Sequence, residues 1–217
     1  MRRVLITGAS GMVGGIVLRE CLASEQISSV TSLARRPSGL GHPKLKEVVH
    51  TDFSDLDPVK EHFADKDIAY FCIGVYTGVA KDLFEEVTLN QPKAFTDALK
   101  EESPKASLCF LSGAGADQSE TSKIAFARLK GMAENHLISM DLGSLCIFRP
   151  GYIYPVKKRK EPNLMYSISR AIYPIMGPFM KNSSITSEEL GKAMFKVGIE
   201  GAPKTILENK DIRALLS

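Results

Sequence analysis

The chain has few of the residue types that build disulfide frameworks and metal centres. Its 217 residues include no tryptophan, four cysteines and four histidines. The cysteines stand singly without a C-x-x-C pair, and the histidines share no spacing typical of metal ligands. We therefore predict buried, reduced thiols and no metal site.

Neither sign of charge dominates, and long apolar runs are absent. The 28 basic residues nearly balance the 25 acidic ones, so the net charge of +3 gives no reason to expect a nucleic-acid partner. No apolar run has the length of a membrane span, and the first strand begins too early for a signal peptide to precede it. We expect a cytoplasmic protein with no membrane contact. The basic run 157–160 fits a solvated loop, with an anionic partner or a nuclear address as alternatives.

Short apolar runs alternate with helical segments along the chain. The runs that predict strands are residues 3–7, 29–33, 47–50, 68–73, 107–111, 144–148 and 205–207. The segments that predict helices are residues 14–23, 58–64, 79–100, 122–140, 164–175 and 187–199. Ser187 is the expected cap of the last helix. The alternation predicts an α/β fold, a doubly wound parallel sheet with helices on both faces.

The length of the chain fits one domain, covering residues 1–217. The segment 152–184, rich in proline, methionine and tyrosine, interrupts the alternation. Ligands of doubly wound sheets bind outside the carboxyl ends of the strands. We therefore place a small substrate lobe at about 152–184.

Three glycines follow the first predicted strand, at Gly8, Gly11 and Gly14. Gly8 suits the positive φ of a tight turn, Gly11 lets backbone N–H groups approach a pyrophosphate, and Gly14 lets the helix pack close to the strand. The same turn contains Ser10, Met12 and Val13. We predict that it holds a dinucleotide at the helix N-terminus, the alternative being a turn without a ligand.

Two arginines, Arg35 and Arg36, follow the second predicted strand. NAD-specific proteins carry an acidic residue there, whereas guanidinium groups bind phosphate, so we predict that NADP(H) is preferred over NAD(H). A solvated basic loop is the alternative. After the third strand come Asp52 and Phe53. Asp52 either accepts a hydrogen bond from an adenine amino group or simply forms a turn.

Two further strand ends lie on the same predicted edge. The fourth strand ends at Cys72, Ile73 and Gly74, whose backbone either follows the ribose of the cofactor or merely ends the strand. The fifth strand ends at Ser112, whose hydroxyl is placed to polarise a carbonyl, although serine is also common in turns.

These motifs together resemble the short-chain dehydrogenase/reductase superfamily. More closely, the chain is similar to its atypical branch of small NAD(P)H-binding proteins related to the Tat-interacting protein. The residues that carry the resemblance are the T-G-x-x-G-x-x-G pattern from Thr7, the Asp52 turn, the 72–74 turn, Asn90, Ser112, Lys130 and Arg149-Pro150-Gly151, with the helical stretch 186–194. The resemblance implies a Rossmann-type fold, a cofactor role for Asn90, and a turn at Pro150 and Gly151 beside the nicotinamide amide.

The family's working enzymes have a tyrosine four residues before the helix lysine, where it passes a proton to the substrate oxygen. Here the lysine is Lys130, and Phe126 stands in the tyrosine position. By the resemblance, Lys130 holds the nicotinamide ribose; an exposed helix lysine is the alternative. Phenylalanine has no proton to give, so a water molecule or one of Tyr76, Tyr152 and Tyr154 would replace the missing hydroxyl. For each of these tyrosines an ordinary half-buried loop position is the favoured alternative.

Two functions therefore remain open. The first is an NADP(H)-dependent reductase of a small carbonyl or enone, in which Ser112 and Lys130 are the candidate catalytic residues. The second is a regulator that senses NADP(H) and acts through a protein partner, since a sensor does not need a proton donor. An epimerase or dehydratase is less favoured, because the short C-terminal part leaves little room for a nucleotide-sugar.

Overall fold

Seven parallel strands form the main sheet of the protein. The structure, a computed structural model, describes residues 1–75, 79–156, 173 and 182–216. The strands of the main sheet are β1 (Arg2–Thr7), β2 (Ile27–Ala34), β3 (Leu45–Val49), β4 (Ile68–Phe71), β5 (Ser107–Leu111), β6 (Ser144–Arg149) and β9 (Ile206–Glu208). Two short strands, β7 (Tyr152–Tyr154) and β8 (Ser184–Thr186), pair in parallel in a separate small sheet.

The strand order of the main sheet is β3-β2-β1-β4-β5-β6-β9, with every neighbouring pair parallel. All seven predicted strands are confirmed, and the doubly wound sheet with them. The winding direction reverses between β1 and β4. In such sheets the crevice at the carboxyl ends of the two strands beside this reversal is where ligands bind.

Helices cover both faces of the sheet. They are α1 (Gly14–Ala23), a 3₁₀ helix (Asp57–Phe63), α2 (Lys81–Glu85), a π-helical turn (Glu86–Asn90), α3 (Gln91–Glu102), α4 (Ala125–Ser139), α5 (Ser187–Glu200) and α6 (Asn209–Ala214). Val4 and Ile6 of β1 pack in the core under α1 and α5, and Leu5 packs in the core under α3 and α4. The continuous apolar run of β1 reflects this burial on both faces.

The helices differ from the sequence prediction in three places. Residues 58–64 form a 3₁₀ helix (Asp57–Phe63) instead of an α-helix. The long helix expected at 79–100 is divided by the π-helical turn, which lies directly before α3, where Pro92 lacks the N–H that a regular ladder needs. The cap of α5 is Thr186, not Ser187: the Glu189 N–H donates to the Thr186 hydroxyl oxygen at 3.1 Å.

The small β7–β8 sheet and α6 were missed from the sequence. The backbone N–H of Tyr152 donates to the Ser183 carbonyl at 2.9 Å, and that of Gly151 donates to the Asn209 side chain at 3.0 Å. The N-terminus of α6 therefore holds the start of β7 beside β8. Most of the predicted lobe at 152–184, the helix expected at 164–175 and the basic run 157–160 lie outside the described residues.

The four cysteines are buried free thiols. Burial raises the pKa of each one, so these thiols stay protonated and chemically inert. Within the described ranges, no group of three or more histidine, cysteine, aspartate or glutamate residues is arranged to hold a metal ion. In the same part of the chain, every helix is too short or too polar to cross a membrane.

Candidate functional site

The turn after β1 is built from backbone that approaches other backbone very closely. Gly8 has φ of +73°, and a Cβ atom there would lie 2.6 Å from the carbonyl oxygen of Cys72. A Cβ at Gly14 would lie 2.2 Å from the carbonyl oxygen of Gly8. Both glycines are therefore required by the packing of the turn itself, which seats α1 directly against the ends of β1 and β4.

The middle of this turn is open to solvent. Ser10 and Gly11 are exposed, Met12 is half-buried, and Val13 is buried in the core at the cap of α1. The first turn of α1 carries no acidic side chain, so no carboxylate competes for its unpaired N–H groups. An exposed, glycine-rich helix N-terminus of this kind fits a pyrophosphate.

The adjacent edge of the sheet presents two exposed arginines. Thr7 of β1 pairs with Leu33 of β2, so Arg35 and Arg36 follow β2 next to the glycine turn. Both lie at the carboxyl edge of the sheet with free access to solvent, where a phosphate on an adenosine ribose could reach them.

The turn after β3 is stabilised by Asp52. Its carboxylate accepts hydrogen bonds from the Ser54 hydroxyl at 2.5 Å and the Ser54 N–H at 3.0 Å, and these bonds lower the pKa of Asp52. Asp52 therefore has the turn-forming role in this structure, while its exposed position leaves room for an adenine contact. The Phe53 side chain is core, at 4% exposure, so Phe53 offers a ligand only its backbone.

The end of β4 forms the other wall of the crevice. The Cys72 N–H donates to the Thr7 carbonyl at 3.2 Å, and the Cys72 side chain is buried. Ile73 is half-buried and Gly74 is exposed. A Cβ at Gly74 would contact nothing within 4 Å, so the protein's own packing does not require glycine there. Tyr76 lies outside the described residues.

A buried carboxylate lies at the carboxyl ends of β5 and β6. Glu134, on α4, is 0% exposed. Its Oε1 accepts from the Ser112 hydroxyl at 2.5 Å and from Arg149 Nε at 3.0 Å. Its Oε2 accepts from Gln118 Nε2 at 3.1 Å and from the second guanidinium nitrogen of Arg149, Nη2. We call Ser112, Gln118, Glu134 and Arg149 the Glu134 cluster.

The Glu134 cluster ties three segments of the site into one unit. Arg149 also donates to the carboxylate of Glu208 at 3.1 Å, which connects the cluster to the end of β9. Its two carboxylate partners raise the pKa of Arg149, so its charge is fixed. Sequence reasoning found Ser112 and the Arg149 turn but missed Glu134, Gln118 and Glu208. The only signal was the spacing of Glu134 one helical turn after Lys130.

Lys130 lies one turn before Glu134 on α4 and is 8% exposed, so it is not a solvated surface lysine. Its Nζ donates to the carbonyl oxygen of Leu111 at 3.5 Å and stands 5.4 Å from the ring centroid of Phe110. Burial lowers the pKa of Lys130 to about 8, against an opposing effect of Glu134. Lys130 and Ser112 thus meet at the carboxyl end of β5.

Phe126 is half-buried on the same face of α4, one turn before Lys130. Its ring covers Gly113, where a Cβ would lie 2.8 Å from Phe126 Cζ, and its centroid lies 6.4 Å from that of Phe84. The edge of the site that carries a phenol in the related enzymes is therefore apolar in this chain.

Two other residues named by the resemblance have structural contacts. Asn90 is exposed in the π-helical turn, where its amide donates to Glu86 at 2.9 Å. A Cβ at Gly151 would lie 2.0 Å from the Ser183 carbonyl oxygen, so the close approach of β8 requires this glycine. The Pro150 carbonyl accepts from the Ala114 N–H at 2.9 Å, which joins the loops after β5 and β6.

Comparison with known proteins agrees with this geometry. A family described as NAD(P)H-binding matches residues 8–171, well over half of the chain. Protein HTATIP2 of Rattus norvegicus is 29% identical over 74% of this chain, and the match spans 66% of that protein. Protein FMP52, mitochondrial, of Candida albicans is 26% identical over 93% of this chain and 88% of that protein.

Solved structures share the fold at low sequence identity. The Bordetella bronchiseptica enzyme WbmH, in complex with NAD+, has a TM-score of 0.70 at 15% identity, covering 96% of this chain and 75% of that one. Uronate dehydrogenase from Agrobacterium tumefaciens has a TM-score of 0.65 at 16% identity, covering 96% and 76%. The chain belongs to the NAD(P)H-binding family.

Proposed function

We propose that the protein is an oxidoreductase that uses NADP(H) to reduce a small carbonyl compound. The observation that carries the proposal is the glycine turn, in which Gly8 and Gly14 are required by close backbone packing and the exposed stretch between them opens the N-terminus of α1. Such a turn suits a pyrophosphate, and hydride transfer is the chemistry of a nicotinamide dinucleotide.

The preference for NADP(H) rests on Arg35 and Arg36. Both are exposed beside the glycine turn, where guanidinium groups would form charge-assisted hydrogen bonds to a 2′-phosphate. At the other end of the crevice, Lys130 would hold the nicotinamide ribose. The turn at Pro150 and Gly151 would lie beside the nicotinamide amide, which would bring the reacting carbon of the cofactor to the end of β5.

The substrate would bind where Ser112, Lys130 and the Phe126 ring meet. The dinucleotide, when bound, supplies a hydride to the carbonyl carbon. The carbonyl oxygen then needs one proton, and Lys130 lies close to the strand end where that oxygen would be. Ser112, at the same strand end, would accept a hydrogen bond from the alcohol that forms. The apolar surface of Phe126 and Phe84 favours a substrate with a hydrocarbon part beside its carbonyl.

Calorimetric titration with NADPH and NADH tests the cofactor assignment. The matched variant is the double substitution Arg35→Ala, Arg36→Ala. Hydrogen bonds to a charged group contribute about 1.5–3 kcal/mol each, so we expect the double variant to bind NADPH at least roughly tenfold more weakly. NADH binding should change little. If neither nucleotide binds the wild-type protein, the proposal fails.

A second function is favoured by one observation. Phe126 presents an apolar ring over Gly113, at the edge where related enzymes carry a phenol. A regulator that binds NADP(H) and acts on a protein partner would keep the glycine turn without needing that phenol. Tight NADPH binding with no turnover of any aldehyde, ketone or enone would favour this function, and Phe126→Tyr would then test whether the scaffold is otherwise competent.

The location of the protein stays a prediction. Several relatives carry the word mitochondrial in their names, whereas the sequence led us to propose the cytoplasm. Fractionation of cells that express the full-length protein, followed by immunodetection, distinguishes the two compartments.

A further inference from the structure

Two hydroxyl groups serve the reacting oxygen in enzymes that this chain resembles, and neither is free to give a proton here. Phe126 replaces the phenol outright. Ser112 keeps its hydroxyl, but the hydrogen of that hydroxyl is directed at Glu134. A reduction of a carbonyl to an alcohol needs one proton for each hydride, so another group has to supply it.

The direction of the Ser112 hydroxyl hydrogen follows from the hydrogen bonds that the Glu134 carboxylate accepts. A carboxylate offers about four lone-pair positions on its two oxygens. In this structure four donors use them: the Ser112 hydroxyl, the Gln118 amide and two nitrogens of Arg149. Because guanidinium and amide nitrogens only donate, both carboxylate oxygens act as acceptors, and the Ser112 hydroxyl is the donor in its contact with Glu134. Ser112 can therefore only accept hydrogen bonds from a ligand.

Among the described residues at the end of β5, Lys130 has protons to give. Its Nζ lies beside the Leu111 carbonyl, directly before Ser112, and over the Phe110 ring. Its contact with the Leu111 carbonyl uses one of the three N–H groups of an ammonium ion. Lys130 also shares with Phe126 the face of α4 from which the phenol would have acted.

We propose that Lys130 is the proton donor of the reduction, in place of the phenol that Phe126 lacks. The inference rests on the proposed function. The Nζ–H bond breaks while an O–H bond forms on the substrate oxygen, and the carbonyl carbon takes the hydride that the dinucleotide supplies. The amine is left neutral and regains its proton from solvent. Ser112 then accepts a hydrogen bond from the new hydroxyl.

The surroundings of Lys130 suit this role. Burial lowers its pKa to about 8, and Glu134 on the same helix acts against that shift. The charged group from another element is Arg149 of β6, which pairs with Glu134. A donor whose pKa lies near the working pH is protonated and yet releases its proton readily.

The first test measures the titration of Lys130 without cofactor or substrate. An unfolded lysine has a pKa of about 10.4, so between about pH 8 and pH 10 the unfolded chain holds a proton that folded wild type lacks. Wild type should gain stability over Lys130→Met as the pH rises through this range, by up to about tenfold in the unfolding constant per pH unit. Urea unfolding of both proteins measures this, and a difference that does not change with pH overturns the inference.

The second test separates proton donation from cofactor binding. Lys130→Arg keeps the charge and the donors, but arginine does not release a proton in proteins. With a panel of small aldehydes, ketones and enones, we expect kcat to fall by about 10²–10⁴ while NADPH affinity, measured by calorimetry, stays within a few-fold. Lys123→Arg, at an exposed lysine just before α4, is the matched control and should leave kcat within a few-fold.

The outcomes that contradict the inference are distinct from those that contradict the proposed function. Turnover that survives Lys130→Arg overturns Lys130 as the donor and leaves the oxidoreductase intact. Failure of wild type to bind NADPH or to reduce any member of the panel overturns the proposed function itself. For wild type, kcat should decline as the pH rises above about 8, since deprotonated Lys130 has no proton to donate.

Discussion

The two ends of the candidate site are made of different parts of the polypeptide. At the glycine turn the ligand-facing surface is backbone, and the close approach of Gly8 and Gly14 to their neighbours leaves no space for side chains. At the Glu134 cluster the surface is made by side chains from the segment after β5, from α4 and from β6, held by a buried ion pair. The backbone of the glycine turn has a shape that suits one kind of ligand. The side chains of the Glu134 cluster carry charges, and single substitutions among them change the chemistry of the site.

The difference shows which part of the site is free to vary. A substitution in the glycine turn meets backbone atoms that cannot move aside, so the turn either keeps its glycines or loses its geometry. Phe126 lies on a helix face with a half-buried ring, where tyrosine and phenylalanine have nearly the same shape. A change of one oxygen atom there decides whether this edge of the site has a hydroxyl proton to give.

The largest loss of stability at either end of the site should come from Glu134→Ala. The substitution leaves the Arg149 guanidinium and the Ser112 hydroxyl buried without their main partner. Breaking a buried ion pair costs about 3–5 kcal/mol of the free energy of unfolding, which urea denaturation measures. The matched control is Glu188→Ala, whose partly exposed carboxylate pairs with Arg19 and should contribute about 0–1 kcal/mol. Equal losses in the two variants would show that the Glu134 cluster is not a stabilising unit.

A smaller loss of stability, combined with a loss of binding, is expected for Gly14→Ala. The added methyl group would lie 2.2 Å from the Gly8 carbonyl oxygen, so α1 has to shift away from the turn. Overpacking of this kind costs about 1–3 kcal/mol, measured by urea denaturation, and NADPH affinity should fall with it.

Gly41→Ala is the matched control for this variant, because a Cβ at Gly41 would contact nothing within 4 Å. If Gly14→Ala binds NADPH as tightly as wild type, the turn does not depend on close packing, and the contrast between the two ends of the site disappears.

The smallest loss of stability should come from Thr186→Ala. This variant tests α5, the helix that packs against α1 behind the glycine turn. Thr186 and Glu189 form a reciprocal capping box at the start of α5, and α5 packs on α1 where a Cβ at Gly191 would meet Ile16. Loss of the cap should cost about 1 kcal/mol of the free energy of unfolding without a change in NADPH affinity. Thr186→Ser keeps the hydroxyl and should behave like wild type. A loss of NADPH affinity in Thr186→Ala would mean that the glycine turn depends on the capping of α5.

The glycine turn and the sheet could be predicted from the sequence because their signals are local. The spacing of Gly8, Gly11 and Gly14 lies within one turn, and each buried strand is a short run of apolar residues. Both patterns follow from burial and backbone geometry over fewer than ten neighbouring residues, so no knowledge of the rest of the fold is needed.

The Glu134 cluster could not be predicted, because its members are far apart in the chain. Glutamate and arginine are usually exposed, and nothing near Glu134 indicates that Arg149 will neutralise it. The same holds for the pairing of β7 with β8, since three-residue strands have too few positions to show a period and their partners lie about thirty residues away. The cap at Thr186 was misplaced by one residue, because threonine and serine are both favoured N-cap residues and serine ranks slightly higher by type.

The pairing of β7 with β8 has a consequence for how this protein can change over evolutionary time. Tyr152 and Ser184 stand side by side, so the segment between these strands starts and finishes at one place on the protein. The entropic cost of bringing the two ends of a flexible chain segment together grows only slowly with its length, by about 0.6 kcal/mol for each doubling. Insertions and exchanges within this segment should therefore change the free energy of unfolding little. We therefore expect that exchanging this segment between related chains would leave the dinucleotide turn of the host unchanged.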